Sequence, residues 1–501
     1  MEEPIIVAYS QSMQIQPRRA LSLGDSARRF IRSRLPVIAL AVLVLFARGA
    51  LASEPAIGPL SVSKENPRYF STPGGRVVYL AGAHDGWELQ DFAWGDKAPE
   101  RPFDWPRFLD FLTAHHHNVI RLWCVEHTKI SDADTDLTEP MPWLRVAGRG
   151  HANDGRDKFD LDRFNLAYFH RLRERVTQAR ERGVYVIVML FQGWSIDDKG
   201  GKVNPWPNHP FHPSNNVNGL NGDRDADGQG SELHTWLGQN HPITRRQRDY
   251  VRRVVEAVND LDNVLYEIAN ESHTGSLDWQ NRMVDFIRAT ERTLGKSHPV
   301  GITVPFGGER QAELNEELFE SKADWISPNR ESGGFNYRDN PPPADGRKVV
   351  LSDSDHLQGN SLQDHRWVWK TFCRGHNVLF MDRWTEEPHS PLRGQVRRAI
   401  GQTVDFARRM DLARTVPQAE SASTGYCLVN PGRACLVYQP NGGAFTVDLP
   451  ETQNELAVEW LEPRSGNTRP GEPVRGGGTQ TFQPPFGGDA VLWLGVQAKA
   501  P

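Results

Sequence analysis

The chain is poor in cysteine, in net charge and in long apolar runs, and each shortage removes a class of explanation. Four cysteines among 501 residues cannot staple a disulfide-built scaffold, and none of them has zinc-ligand spacing. A net charge of -5 and a pI near 6.4 provide no basic field for a nucleic-acid partner. No HExxH motif occurs, so the residues for zinc-protease chemistry are missing. The apolar stretch Leu35 to Phe46 is about a dozen residues, too short to span a bilayer comfortably.

What surrounds that stretch reads as an export signal. Arg28, Arg29, Arg32 and Arg34 precede it, and Ala50-Leu51-Ala52 offers a small-x-small cleavage pattern before Ser53. A signal peptide is therefore expected over 1–52, leaving a secreted or periplasmic chain with no membrane contact after cleavage; an uncleaved N-terminal anchor is the alternative. Cys427 and Cys435 flank the turn Asn430-Pro431-Gly432, which would bring two antiparallel strands together, so a disulfide between them is expected in an oxidising compartment. Tryptophan, at 15 copies, is plentiful. Its faces either stack on sugar rings or fill a large core.

Between about residues 77 and 415, short β-branched runs alternate with helical stripes, the pattern of a parallel sheet with crossovers. Eight strands are expected: Val77 to Ala81, Val119 to Cys124, Val184 to Phe191, Val264 to Ala269, Val300 to Val304, Trp325 to Pro328, Val349 to Ser352 and Val378 to Met381. Val251, Val254, Val255, Val258 and Leu261 form one stripe at helical spacing. Trp279, Met283, Phe286, Ile287, Thr290 and Leu294 form another, stopped by Gly295. Eight such units predict an α/β fold, a (βα)₈ TIM barrel over 53–416. After Pro417 only strands and turns remain, which predicts a small all-β sandwich over 417–501. The Gly-, Asn-, Asp- and Pro-rich segment from Trp194 to about Thr244 is too long for a simple connection and should wall the cleft at the strands' C-terminal ends.

The segment NVLYEIANESH, 263–273, places Asn270 and Glu271 where the fourth strand runs out. Alone, Asn-Glu is a common dipeptide, and its Glu would more often cap a helix. At the top of a fourth barrel strand it suits an acid that protonates a leaving oxygen, provided a second carboxylate faces it across the bond. The barrel resembles the large clan of retaining glycoside hydrolases whose acid/base is the Glu of such a pair and whose nucleophile ends strand seven. Arg121 in NVIRLW matches the clan's second-strand arginine, which would hold the nucleophile. Strand seven departs from the pattern, because KVVLSDSDH ends in Asp353, Asp355 and His356 with no Glu. Either aspartate could attack; Asp353, nearer the strand, is slightly favoured, and His356 would orient its neighbours.

Substrate-binding candidates by position are His84, Asp85 and Trp87 after strand one, Gln192 and Trp194 after strand three, His273 after strand four, and Asn329 with Arg330 after strand six. In NGDRDADGQGSE, Asp223, Asp225 and Asp227 match the first half of a calcium loop; Glu232 could add a ligand, and His234 stands where the last Glu is usual. No cofactor is required, and calcium would be structural. SDSDHLQG, WVWKTFCRGHN, LFMDRW, LVYQPNGGAFTVDLP and EWLEPRSGN together resemble bacterial glycosidase-like proteins whose C-terminal domain is labelled collagen-binding. That label does not make collagen a partner of this chain. The resemblance implies hydrolysis of O-glycosidic bonds in a poly- or oligosaccharide by two carboxylates with retention. The competing expectation is a non-catalytic glycan- or matrix-binding protein on a degenerate barrel.

Overall fold

The computed structural model describes residues 54–91, 102–131, 134, 136–198, 203–306, 311–332, 334–358, 363–452 and 455–496. The expected signal segment 1–52 lies outside them. Eight parallel strands close into a barrel: β1 Ala81–His84, β2 Val119–Leu122, β3 Tyr185–Gln192, β4 Val264–Asn270, β5 Val300–Thr303, β6 Trp325–Ser327, β7 Val349–Asp353 and β8 Asn377–Met381. Each strand pairs with its sequence neighbour, and β8 returns to β1.

Seven strands lie where the apolar runs put them, and the first does not. Val77–Val78 belongs to a small antiparallel sheet with Phe70–Ser71 and Ser61–Val62, while β1 is the segment AGAH that follows. Its small residues permit a close approach: a Cβ on Gly82 would lie 1.9 Å from the Val119 carbonyl oxygen. A search for β-branched runs passes over such a strand. His84 accordingly sits on β1 rather than beyond it.

Among the described residues, eight helices accompany the barrel: α1 Trp105–Ala114, α2 Leu166–Glu181, α3 Pro242–Val258, α4 Leu277–Glu291, α5 Gln311–Glu320, the short α6 Ser354–Gln358, α7 His365–Cys373 and α8 Pro391–Arg409. In α3, Val251, Val254, Val255 and Val258 are buried as one stripe, and Pro242 starts the helix at a position that needs no N–H. In α4, Trp279, Met283, Phe286 and Ile287 are buried, but Leu294, expected in the same stripe, lies past the helix and is exposed. Among the described residues no helix is long and apolar enough to cross a membrane.

The inserted segment after β3 joins the main apolar core through Ile196, Trp206, Phe211 and Leu233. Trp206 is buried there, and Gly222 and Gly230 pack so closely on its ring that a Cβ at either would lie 2.6 or 2.4 Å from it. The C-terminal region forms a six-stranded antiparallel sheet with a two-stranded partner. Its strands are β9 Val416–Pro417, β10 Cys427–Asn430, β11 Ala434–Gln439, β12 Phe445–Asp448, β13 Glu455–Leu461, β14 Thr468–Arg475, β15 Thr479–Phe482 and β16 Ala490–Val496. The large sheet runs β9-β10-β11-β16-β13-β14, and β12 pairs with β15. Phe445, Val447, Trp460, Phe482 and Leu492 fill the space between. This unit packs on the barrel: Trp369 of α7 stacks on Tyr438, and His365 Nε2 lies 2.9 Å from Asp489 Oδ2. Cys427 and Cys435, expected as a disulfide, are free thiols here with sulfurs 3.1 Å apart, against roughly 2.05 Å for a bond. They are diagonal rather than opposite, since Cys427 pairs with Val437 and Cys435 with Val429.

Candidate active site

A buried arginine organises the C-terminal mouth of the barrel. Arg121 lies on β2 with no solvent exposure, so its charge must be met by protein. It donates Nε to Glu267 Oε2 at 2.7 Å and Nη2 to Glu267 Oε1 at 2.5 Å, a bidentate pair with a residue on β4. Nη2 also reaches Asn270 Oδ1 at 2.7 Å, and Nη1 reaches Asp353 Oδ2 at 3.2 Å and Asp355 Oδ2 at 3.1 Å. Burial would lower the Arg121 pKa, but the charges of Glu267 and Asp353 raise it on balance, and the guanidinium stays charged. One side chain thus ties the ends of β2, β4 and β7.

Glu267 was not among the sequence candidates. The signal was available: a lone acid inside the apolar strand VLYEIAN needs a buried cation, and NVIRLW contains one.

The two strand-seven aspartates differ. The side chain of Asp353 is 1 % exposed; its Oδ1 accepts the Asp355 N–H at 3.0 Å and lies 3.3 Å from His84 Nε2. Burial alone would raise its pKa, but the charges of His84 and Arg121 hold it well below the usual carboxylate range. His84, whose pKa burial would lower, is raised on balance by Asp353. Asp355, on α6, is 9 % exposed, and burial followed by the neighbouring Asp353 charge pushes its carboxyl up to about 6.

His356 completes the floor. Its Nε2 is 3.0 Å from Asn270 Oδ1 and its Nδ1 is 2.8 Å from Ser327 Oγ. Burial, then the Arg121 charge, lowers its pKa to about 3, so the ring is neutral. A neutral ring that donates Nε2–H to Asn270 accepts the Ser327 hydroxyl at Nδ1. Asn270 Nδ2 in turn donates to Gln192 Oε1 at 3.0 Å.

Glu271 directly follows β4 in the left-handed region, φ 42°. Its backbone crosses Gly193 so closely that a Cβ there would lie 2.1 Å from the Glu271 carbonyl oxygen. The Trp194 indole N–H donates to Glu271 Oε2. The indole N–H fixes where that carboxyl oxygen points.

Of the sequence candidates, His84, Arg121, Gln192, Asn270, Asp353, Asp355 and His356 form one connected network, and Trp194 meets Glu271. Asp85 turns away: Oδ2 accepts the Thr385 N–H at 2.9 Å, and burial together with Glu88 raises its pKa well above normal. Trp87 is buried in the main apolar core. Asn329 exchanges hydrogen bonds with Asn315, at 2.8 and 3.2 Å. Arg330 donates its N–H to Asn329 Oδ1 and meets Asp339 at 3.8 Å, and His273 lies 3.4 Å from Thr235 of the insertion.

The acidic loop brings one carboxylate oxygen each from Asp223, Asp225 and Asp227 within 4.8 Å of one another. Glu232 instead accepts the N–H groups of Arg224 and Asp225, at 3.1 and 3.0 Å. His234, at the last loop position by sequence, is buried and lies 2.5 Å from Ser272 Oγ.

Residues 119–308 match a family described as a domain of unknown function (DUF6298), and residues 416–495 match one described as "Putative collagen-binding domain of a collagenase". No curated protein matches the sequence. A solved structure titled "Glycoside hydrolase" is similar at a TM-score of 0.57 and 12% identity, over 88% of this chain and 98% of its own. A glycoside hydrolase family 5 protein from Bacteroides vulgatus is similar at 0.58 and 13%, over 89% of this chain and 96% of its own. The chain therefore has the fold seen in these glycoside hydrolases, an eight-stranded parallel barrel followed by a C-terminal antiparallel domain.

Proposed function

We propose that this protein is a secreted glycoside hydrolase acting on O-glycosidic bonds of a poly- or oligosaccharide by double displacement. The observation that carries the reading is the Arg121 cluster, which gathers two carboxylates at the end of β7 beside the β4 end that bears Glu271. Glu271 protonates the leaving oxygen. A strand-seven carboxylate attacks the anomeric carbon; Glu271 then takes a proton from water, and the resulting hydroxide displaces the carboxylate from that carbon.

Asp353 has both oxygens engaged by Arg121, His84 and the Asp355 N–H, so its part is to hold charge. Asp355 is the more exposed, and its higher pKa makes it the more basic nucleophile once ionised. The attacking role is therefore assigned to Asp355 rather than to Asp353. The similar folds titled as glycoside hydrolases support the same reading. Export is supported by the N-terminal pattern of 1–52; no cofactor is required by this reading, and calcium on the aspartate loop would be structural.

The test is a panel of aryl glycosides and plant or bacterial polysaccharides. Turnover by the wild type and its loss in Glu271→Gln, with an unchanged circular dichroism spectrum, is expected; full activity in Glu271→Gln would reject the assignment. The absence of a strand-seven Glu favours one other reading, a glycan- or matrix-binding protein without turnover. Binding of panel glycans with no product released would establish it.

A further inference from the structure

The insertion after β3 reaches under Glu271. Ser272, the next residue, is buried and pinned at two points: its carbonyl accepts the Phe306 N–H at 2.6 Å, and its Oγ lies 2.5 Å from His234 Nδ1. His234 is the last residue of the short turn Ser231–His234 inside the insertion. Its ring stacks on Trp279 of α4, centroids 4.5 Å apart and 12° from parallel. Gln247 of α3 fastens the same turn by donating to the Leu233 carbonyl at 2.6 Å. Beyond the ring, Nε2 lies 3.9 Å from Glu126 Oε2; Glu126 accepts the Gln192 N–H at 2.7 Å and has His209 Nε2 at 3.6 Å on its other oxygen. The imidazole is thus held by Ser272 after β4 and by Trp279 of α4, while Gln247 of α3 holds the turn that carries it.

A non-glycine residue at positive φ costs about 1–3 kcal/mol and persists where its surroundings over-determine it. Glu271 is such a residue, and its neighbours supply the constraint: Gly193 on one side, Ser272 and His234 on the other. We infer that His234 is a positioning residue that acts through Ser272 to hold the left-handed turn presenting the Glu271 carboxyl for proton donation. The inference rests on the reading of Glu271 as the proton donor. It also gives the insertion a task beyond walling the cleft, since it braces the acid from beneath.

The experiment compares phenyl and dinitrophenyl glycosides of a sugar that the wild type hydrolyses. Phenolate needs a proton to leave and dinitrophenolate does not, so in the first step, which kcat/KM reports, misplacing the acid harms only the phenyl glycoside. His234→Ala and Ser272→Ala should lower kcat/KM on the phenyl glycoside by about 10- to 100-fold and on the dinitrophenyl glycoside by under about threefold. His234→Asn, which keeps a polar atom near the Nδ1 position, should recover most of the loss. Equal losses on both substrates would overturn the proposal. So would a crystal structure of Ser272→Ala in which Glu271 keeps its positive φ and its Trp194 contact. If Glu271→Gln is inactive while the His234 and Ser272 variants match the wild type, positioning alone fails. If Glu271→Gln still turns over the phenyl glycoside, or no glycoside is hydrolysed by the wild type, the underlying reading falls and the proposal with it.

Discussion

The ends of β4 and β7 carry the same kind of group in opposite settings. At the end of β7, Asp353 and Asp355 share one buried guanidinium, and their pKa values are driven apart, one far down and one up to about 6. At the end of β4, Glu271 accepts an indole N–H and stands on a left-handed backbone. Ion pairing separates the two carboxyls at one end, and a left-handed turn sets where the carboxyl stands at the other. A two-carboxylate hydrolase needs this division, because one carboxyl must be ionised while the other still holds a proton.

The comparison can be broken from either side. The largest loss of activity is expected for Glu271→Gln, about 10²- to 10⁴-fold in kcat on substrates with poor leaving groups, measured by product release. Next is Arg121→Met, which leaves Glu267 and Asp353 buried without their cation. It should cost about 3–5 kcal/mol in urea unfolding, the scale of a broken buried ion pair. Gly193→Ala should lower turnover by forcing the Glu271 carbonyl aside, with stability loss of about 1–3 kcal/mol from overpacking. Smaller again is Trp194→Phe, which removes one donor to Glu271 and should change kcat by about 1 kcal/mol in barrier.

Asp355 sharpens the contrast through pH. Its folded-state pKa, about 6, lies above the ordinary carboxylate value, so between the two the folded protein binds the extra proton and stability falls as pH rises. Asp355→Asn should therefore raise Tm at about pH 8 and do so less at about pH 5, where the wild-type carboxyl is already largely protonated in the fold. Catalysis has the opposite sign. In the proposed mechanism the ionised form attacks, so wild-type turnover should decline as pH drops below about 6.

Much of this arrangement was legible in the residues. Alternation of apolar runs and helical stripes placed seven of eight barrel strands, because strands buried on both faces read as continuous Val, Ile and Leu. β1 escaped because close strand packing selected Ala and Gly over branched residues. Arg121, Asn270 and the DSDH run were visible as charged or amide groups at strand ends. Glu267 was hidden inside a strand, and its meaning depends on a contact with a residue 146 positions away. His234 was read by its spacing in an acidic loop, yet the chain turns it inward onto Trp279 and Ser272, a tertiary event that loop spacing does not encode. Trp87 and Asp85 were placed by proximity to β1, and alternation along the chain turned Asp85 toward Thr385 rather than toward His84's partners.

Covalent trapping tests the central claim most directly. The wild type is incubated with an activated 2-deoxy-2-fluoro glycoside of a sugar it hydrolyses, digested, and mapped by mass spectrometry. The account predicts one glycosyl label, on Asp355, with none formed by Asp355→Gly. A label on any other residue, or turnover with inverted anomeric configuration and no label, would contradict it.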